Sequence, residues 1–291
     1  MSHQTSTTTA NPPLVTTRDE VRRCVVKARA AGKSIGLVPT MGALHEGHLS
    51  LVRACASECD FTVVTIFVNP AQFGPSEDFK QYPRTFQTDL ESLAGYDVDL
   101  IFAPAEDEMY QPGHSTYVTP PKVAEPFEGR CRAGHFLGVA TVVLKLFHMT
   151  GPDVAYFGQK DYQQSLVIRR MVEDLDLPVR IELCPTVRET DGLAMSSRNP
   201  YLNQHERRQA TALWRSLCLA AERVAQGERK AGIILAEMGR VLADAAMTKI
   251  DYIALVDPET LRDIDPIDGP AIALLAAYVG QTRLIDNHHI G

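Results

Sequence analysis

Two histidines stand three positions apart in the stretch PTMGALHEGHLSLVR. His45 and His48 follow a short apolar run and precede residues with helical spacing, so both imidazoles are expected at the first turn of a helix. There they can donate hydrogen bonds to phosphate oxygens, bind a metal ion, or simply fill space. Metal binding is the weaker alternative, because zinc needs a further protein ligand and the sequence offers no HExxH motif.

Two further polar stretches carry groups that suit phosphate binding. FGQKDYQQ follows another apolar run and places Lys160 and Asp161 at a helix start, with Gln164 about one turn further on. AMSSRN supplies Ser196 to Arg198 in a polar segment that would suit a flap closing on nucleotide phosphates. Taken alone, the first stretch is explained equally well by a solvated helix residue, and the second is better explained by an ordinary loop. Together with the histidines they predict a polyphosphate site.

The elements that must hold these residues alternate between strands and helices. Strands are predicted for the apolar runs SIGLVPT, FTVVTIFVNP, DVDLIFAP, DVAYFG and VRIELCPTV. Helices between them are predicted for EGHLSLVRACASE, TFQTDLESLAG, the segment that begins at Gly138, and QQSLVIRRMVEDL. This alternation favours an α/β fold with a Rossmann-type, doubly wound parallel sheet. Ligands of such sheets bind beyond the carboxyl ends of the strands, where both histidines and Lys160 would lie.

The pattern changes after about residue 190. Two alanine-rich helical segments there precede the strand-like runs IDYIALVD, AIALLAAYV and TRLIDNHHI, which predict a smaller C-terminal α+β domain. We therefore expect a disordered tail over residues 1–13, a Rossmann-type domain over 14–188 and the C-terminal domain, as a lid, over 189–291. The stretch RETDGLAMSSRNPYL lies at the join, and ligand sites are common between domains.

Composition narrows the classes of function. The 291 residues are 45% hydrophobic, which allows a large core, and the net charge of −7 offers no broad attraction to nucleic acid. The six cysteines form no CxxC pair, and the opening MSHQTSTTTANPP has neither a basic start nor an apolar run. These features predict reduced thiols, a cytoplasmic location, and neither nucleic-acid nor membrane partners.

The HxGH turn and the MSSR loop resemble the HIGH and KMSKS signatures of the nucleotidyltransferase superfamily. More narrowly, the chain resembles the pantothenate synthetase family, or pantoate–β-alanine ligases, from about residue 14 to 287. The matching stretches are PTMGALHEGHLSLVR, FVNPAQFGPSEDFKQYPRT, HFLGVATVVLKLF, FGQKDYQQ, PTVRETDGLAMSSRN and TRLIDN. The resemblance implies ATP-dependent condensation of pantoate with β-alanine to pantothenate, AMP and pyrophosphate, through a pantoyl adenylate, with Mg²⁺ accompanying ATP. It also implies a homodimer.

The resemblance implies roles for individual residues. ATP binding is implied for Met41, Gly42, Ala43, Leu44, His45, Glu46, Gly47, His48, Gly158, Gln159, Lys160, Asp161, Val187, Met195, Ser196, Ser197 and Arg198. The catalytic residues are His48 as proton donor, with His45 and Lys160. Pantoate binding falls to Gln72, Gln164 and Arg132, and β-alanine binding to Gln72. Asp89 is the metal candidate, although Mg²⁺ is expected to rest chiefly on phosphate oxygens.

One departure from the superfamily pattern and two other functions matter at this point. The second lysine of KMSKS is absent from AMSSRN, so Lys160 must neutralise more of the phosphate charge. An adenylyl transferase acting on a phosphate would place basic residues where Gln72 and Gln164 stand. A nucleotide sensor or RNA-binding relative without enzymatic activity would need a basic surface or would have lost phosphate-binding residues. The sequence displays neither feature.

Overall fold

The structure is a computed structural model that describes residues 12–75 and 77–290. Residues 1–11 of the predicted tail lie outside this described part. Two sheets organise the described chain, a larger parallel one followed by a smaller antiparallel one. The prediction of an α/β fold with a smaller C-terminal α+β domain is confirmed.

The larger sheet has six strands, all parallel: β1 (Leu14–Val15), β2 (Ile35–Thr40), β3 (Phe61–Ile66), β4 (Leu100–Phe102), β5 (Val154–Gly158) and β6 (Arg180–Cys184). Consecutive residues of β2 and β3, such as Leu37 with Val38 and Val63 with Val64, are fully buried, so both faces of the sheet are covered. The covering helices are α1 (Arg18–Ala30), α2 (Glu46–Glu58), α3 (Phe86–Leu93), α4 (Glu106–Met109), α5 (Glu128–Cys131), α6 (His135–Thr150) and α7 (Tyr162–Asp174).

The strand order β1-β4-β3-β2-β5-β6 creates a switch point in the middle of the sheet. From β2 the chain runs outward to β3 and β4 on one side, and later returns to β5 and β6 on the other. The loops that leave β2 and β5 therefore diverge and open a crevice between them at the carboxyl edge. The two predicted phosphate-binding stretches follow these two strands.

The C-terminal part is a three-stranded antiparallel sheet with two helices. Its strands β7 (Lys249–Val256), β8 (Ala271–Val279) and β9 (Thr282–Ile290) lie in the order β7-β8-β9. The helices α8 (Gln204–Ala225) and α9 (Ala231–Asp244) share a separate apolar core with this sheet. In the order β7-β8-β9, β9 is an edge strand, and it carries residues that contact the segments following β5 and β6.

The sequence-based description missed some elements. Helix α1 was not predicted, although its start carries a capping box in which Thr17 and Glu20 satisfy each other's backbone N–H groups. Helix α6 begins at His135, three residues before the predicted Gly138. None of the helices in residues 12–75 and 77–290 combines the length and apolarity needed to span a membrane.

Candidate active site

A cavity opens at the switch point, beyond the carboxyl ends of β2 and β5. It brings together many of the residues predicted from the sequence. Those that line it are Met41, His45, Gly47, His48, Gln72, Arg132, Gly158, Lys160, Asp161, Gln164, Val187, Met195, Ser196, Ser197 and Arg198. Residues far apart in the chain, such as His48 and Gly158, thus contribute to one space.

The histidine pair forms the first turn of α2. His45 is the N-cap residue, and its Nδ1 accepts a hydrogen bond of 3.1 Å from the backbone N–H of Gly47. The Nδ1 of His48 accepts from the backbone N–H of His45 at 3.3 Å. A Cβ at position 47 would lie 2.8 Å from Cε1 of His45, so only glycine lets this ring cross the helix start. The turn thereby fixes both imidazoles through their Nδ1 atoms.

The local electrostatics keep both imidazoles neutral. Burial, with the nearby Lys160 ammonium, lowers the pKa of His45 from 6.5 to about 4. Burial, then His45 and Lys160, lowers the pKa of His48 to about 3. Because each Nδ1 accepts a backbone hydrogen bond, the single proton of each neutral ring lies on Nε2. His45 and His48 therefore carry N–H donors without a positive charge of their own.

Asp89 stabilises the same turn through hydrogen bonds to its backbone. Its two carboxylate oxygens accept hydrogen bonds from the backbone N–H groups of Ala43 (3.0 Å) and Leu44 (2.8 Å). The side chain of Thr85 adds a third bond, and Asp89 is 2% exposed. These contacts give the carboxylate a role in shaping the turn. Its assignment to Mg²⁺ stays a prediction.

Three residues predicted to bind ATP do not line the cavity and instead make backbone or surface contacts. Ala43 and Leu44 offer their amides to Asp89, and Glu46 forms an ion pair with Arg53. Among residues 12–75 and 77–290, no group of three or more His, Cys, Asp and Glu side chains could hold a metal ion.

Gln72 is held at the opposite wall of the cavity. It ends a 3-10 turn over Pro70–Gln72, and its side-chain oxygen accepts a 3.0 Å hydrogen bond from Asn69. Its backbone carbonyl accepts from Nδ1 of the buried His135 at 2.9 Å. Within the described part of the chain, the side-chain NH₂ of Gln72 donates a hydrogen bond only to the sulfur of Met41, a weak acceptor, at 3.1 Å. The amide hydrogens of Gln72 are thus available to a better acceptor in the cavity.

Close packing on α6 makes this arrangement possible. A Cβ at Gly138 would lie 2.2 Å from the carbonyl oxygen of Ala71, so the 3-10 turn can rest directly on the helix only at a glycine. Asn69 donates a second hydrogen bond to the carbonyl of Gly138 at 3.2 Å. Beside this contact, α6 and the sheet give the cavity an apolar wall of Val139, Val142, Val143, Leu146, Phe67 and Phe157.

The segment after β5 contributes the lysine. Lys160 and Asp161 lie in a short 3-10 turn over Gln159–Asp161, and their side chains are 3.8 Å apart. Gln164 follows in the first turn of α7 and also lines the cavity. Gln159 contributes through its backbone, since its carbonyl accepts a hydrogen bond from Asn287 of β9.

The two arginines of the cavity are paired with neighbouring acids. Arg132 binds both oxygens of Glu77 at 2.8 Å and donates to His135 at 3.0 Å. Arg198 binds both oxygens of Asp78, also at 2.8 Å. These partners lower the pKa of both carboxyl groups against the opposing effect of burial. An anionic substrate must therefore share or displace an acid to reach either guanidinium.

The serine-rich loop, residues 195–198, lies against the turn that carries the histidine pair, residues 41–48. The hydroxyl of Ser197 donates to the carbonyl of Ala43 at 3.1 Å. At the base of the loop, Arg188 pairs with both oxygens of Asp286 at 2.7 and 3.0 Å. The guanidinium of Arg188 also stacks 3.6 Å above the ring of Trp214.

The larger sheet, its switch-point cavity and the helix start that opens into it define an α/β protein of Rossmann-type architecture. The sequence profile described as pantoate-beta-alanine ligase matches residues 13–289. The chain is 52% identical to the pantothenate synthetase of Moorella thermoacetica over 94% of this chain and 97% of that protein. It is 54% identical to the pantothenate synthetase of a Roseiflexus species, over 94% and 98% of the two chains.

Solved structures agree with these matches. The pantothenate synthetase of Thermus thermophilus superimposes with a TM-score of 0.90 at 44% identity, over 95% of this chain and 98% of that one. The pantoate-beta-alanine ligase of Francisella tularensis, crystallised with beta-gamma ATP and beta-alanine, gives a TM-score of 0.78 at 34% identity, over 95% and 97%. The chain belongs to the pantoate–β-alanine ligase family.

Several residues that shape the site were not singled out from the sequence. His135 and Asn287 act through contacts with residues far away in the chain, and so does Asn69 in its bond to Gly138, so local spacing gives no signal for these contacts. Glu77 and Asp78 lie in the quoted stretch FVNPAQFGPSEDFKQYPRT, but nothing there indicates which arginines they bind.

Proposed function

We propose that this chain catalyses the ATP-dependent condensation of pantoate with β-alanine to give pantothenate, AMP and pyrophosphate. Membership of the ligase family supports the reaction class. The observation that carries the assignment is that His45, His48 and Lys160 share one cavity with Gln72 and Gln164. Phosphate-binding donors and neutral amides thus face the same space, as a reaction between ATP and an acid with an uncharged polyol end requires.

The cavity wall supports pantoate as the acid. Pantoate carries two hydroxyl groups, two methyl groups on one carbon, and a carboxylate. We assign its methyl groups to the apolar wall at Val139, Val142 and Val143, and its oxygen atoms to Gln72 and Gln164. Neutral amides pair with hydroxyl groups without forming an ion pair with the carboxylate, which leaves that group nucleophilic. Arg132 also lines the cavity and would contact pantoate if the substrate displaced Glu77 from its ion pair.

The chemistry follows in two steps. An oxygen of the pantoate carboxylate attacks the α-phosphorus of ATP, the bond to the β-phosphate oxygen breaks, and pyrophosphate leaves. The Nε2–H groups of His45 and His48 and the ammonium of Lys160 stabilise the negative charge that develops, each by about 2–4 kcal/mol. The unprotonated amine of β-alanine then attacks the acyl carbon, AMP leaves, and one amine proton is released. This scheme needs no covalent link to the protein.

The remaining ATP contacts are assigned by position. We propose that Gly158 to Asp161 and Met195 to Arg198 face the phosphates from opposite sides, and that the backbone of Val187 meets the adenine. The described residues form no carboxylate cluster for Mg²⁺, and Asp89 is occupied by backbone amides. We therefore assign Mg²⁺ to the phosphate oxygens of ATP, with which it enters as part of the substrate.

We further propose a homodimer in the cytoplasm. The family supports the dimer. All six cysteines are unpaired in the structure, which fits a reducing compartment.

The alternative of adenylyl transfer to a phosphate is less well supported, because neutral amides stand at Gln72 and Gln164 and the two arginines of the cavity are already paired with acids. The test incubates the protein with ATP, Mg²⁺ and pantoate, with and without β-alanine, and follows AMP, pyrophosphate and pantothenate. We expect pyrophosphate release to depend on pantoate, and sustained AMP release to depend on both acids. AMP formation without pantoate, or no pantothenate with all substrates present, would refute the assignment.

A further inference from the structure

Two consecutive side chains of β9 reach the two segments assigned to ATP. The amide NH₂ of Asn287 donates to the backbone carbonyls of Gln159 at 3.0 Å and Lys160 at 2.8 Å. The carboxylate of Asp286 pairs with Arg188, at the base of the serine-rich loop. Asp286 is 3% exposed and Asn287 is 4% exposed, so water cannot easily replace either set of contacts.

The geometry of a strand explains how one element serves both segments. Consecutive side chains on a strand point to opposite faces, so Asp286 and Asn287 extend in opposite directions. Strand β9 is also an edge strand, which allows it to lie between the segment after β5 and the loop after β6. Arg188 closes the connection by donating to the carbonyls of Gly192 at 3.1 Å and Asn287 at 3.2 Å.

The polarity of Asn287 is specific to this place. The carbonyl oxygens of Gln159 and Lys160 both accept a hydrogen bond from the same side-chain nitrogen of Asn287. Only the NH₂ of the amide can bind two carbonyl oxygens at once, and a carboxylate of the same shape would repel both.

We propose that Asn287 and Asp286 are positioning residues, which hold the Lys160 turn and the base of the serine-rich loop at the spacing that the triphosphate requires. This inference rests on the proposed ATP site. Neither residue lines the switch-point cavity, and both act through the backbone of Gln159 and Lys160 or through Arg188.

The test compares Asn287→Asp with Asn287→Ala. Alanine removes two hydrogen bonds, whereas aspartate also places negative charge against two carbonyl oxygens. We expect the Kd and KM for ATP to rise at least about fivefold in the alanine variant and further in the aspartate variant. The KM for pantoate should rise less than the KM for ATP, because Gln72 is held by Asn69 and His135, and of the two pantoate amides only Gln164 follows the Lys160 turn. A loss of folded protein alone would lower kcat and leave both KM values unchanged.

Asn203→Asp is the matched control. The side-chain oxygen of Asn203 caps α8 by accepting from two backbone N–H groups, and aspartate caps a helix equally well. The same exchange should therefore leave ATP binding unchanged at position 203.

The proposal is overturned if Asn287→Ala binds ATP as wild type does, or if alanine weakens binding more than aspartate. Should the aspartate variant fail to fold, the alanine variant alone decides between the two results. ATP affinity is measured by calorimetry without the other substrates, so this result is independent of pantothenate formation by the wild type. A wild type that binds ATP but makes no pantothenate would refute the proposed reaction and leave the positioning role in place.

Discussion

Acidification should destabilise this protein before its carboxylates titrate, and His135 allows the effect to be calculated. The ring is 7% exposed, donates to the carbonyl of Gln72 and accepts from Arg132. Burial, followed by the Arg132 charge, lowers the pKa of His135 from 6.5 to about 4. The unfolded chain therefore binds the proton more readily, so the stabilisation is complete above pH 6.5 and is lost as the pH falls towards 4.

The magnitude follows from these two pKa values. Linkage gives a loss of about 2 kcal/mol in the free energy of unfolding between about pH 7 and pH 5 for His135 alone. Its local slope near pH 5 is about 1.2 kcal/mol per pH unit. A loss of about 2 kcal/mol exceeds the change in the free energy of unfolding that most surface substitutions cause.

His135→Asn tests the calculation. Asparagine keeps a donor near the position of Nδ1 for the carbonyl of Gln72, but it has no proton to gain. Urea denaturation from pH 7.5 to 5 should show a lower free energy of unfolding at neutral pH, from the lost acceptor for Arg132. The variant should lack the loss of about 2 kcal/mol that His135 causes between pH 7 and pH 5, so near pH 5 its dependence on pH should be shallower by about 1.2 kcal/mol per unit.

The control is His148→Asn, which makes the same exchange at an exposed position in the last turn of the same helix. Equal slopes for wild type and His135→Asn would refute the reasoning from burial.

Three further predictions concern the site. Lys160→Ala should slow pantoate-dependent pyrophosphate release at least about a hundredfold with folding intact, whereas the exposed Lys122→Ala should not; rapid-quench assays would compare them. The rate of pantoate-dependent pyrophosphate release should stay constant from pH 8 to about pH 5. The pKa values of His45 and His48, lowered to about 4 and about 3, leave both rings neutral over this range. A rate that rises on acidification through pH 6.5 would instead indicate a cationic imidazole. Gly138→Ala should destabilise the fold by about 1–3 kcal/mol in urea denaturation and raise the KM for pantoate, because the new Cβ would collide with the Ala71 carbonyl. The control is Gly239→Ala in α9, where the nearest atom to the new Cβ would be 3.8 Å away, and this exchange should stabilise the helix.

The architecture could be predicted from the sequence because its signals are local. Apolar runs separated by helical periodicity identified the central strands, and the strand-to-helix turn at His45 followed from the same pattern. Helix α1 was missed although Thr17 and Glu20 form a recognisable capping box.

The support of the site could not be predicted in the same way. His135 binds a carbonyl 63 positions earlier in the chain, and Asn287 binds carbonyls 127 and 128 positions earlier. No periodicity encodes such distances, because they depend on how separate elements pack: α6 on the 3-10 turn for His135, and β9 on the Lys160 turn for Asn287. The ion pairs of Arg132 and Arg198 are equally invisible in sequence, since many acids were available as partners.

The stacking of Arg188 on Trp214 gives the molecule an intrinsic optical probe. Trp214 is the single tryptophan of the chain, and the guanidinium above it belongs to the base of the serine-rich loop. Indole emission responds to a cation at such short range, so a displacement of the loop base changes the fluorescence without any attached dye. Stopped-flow mixing with nucleotide can therefore test whether the loop base is displaced on binding in the unmodified protein.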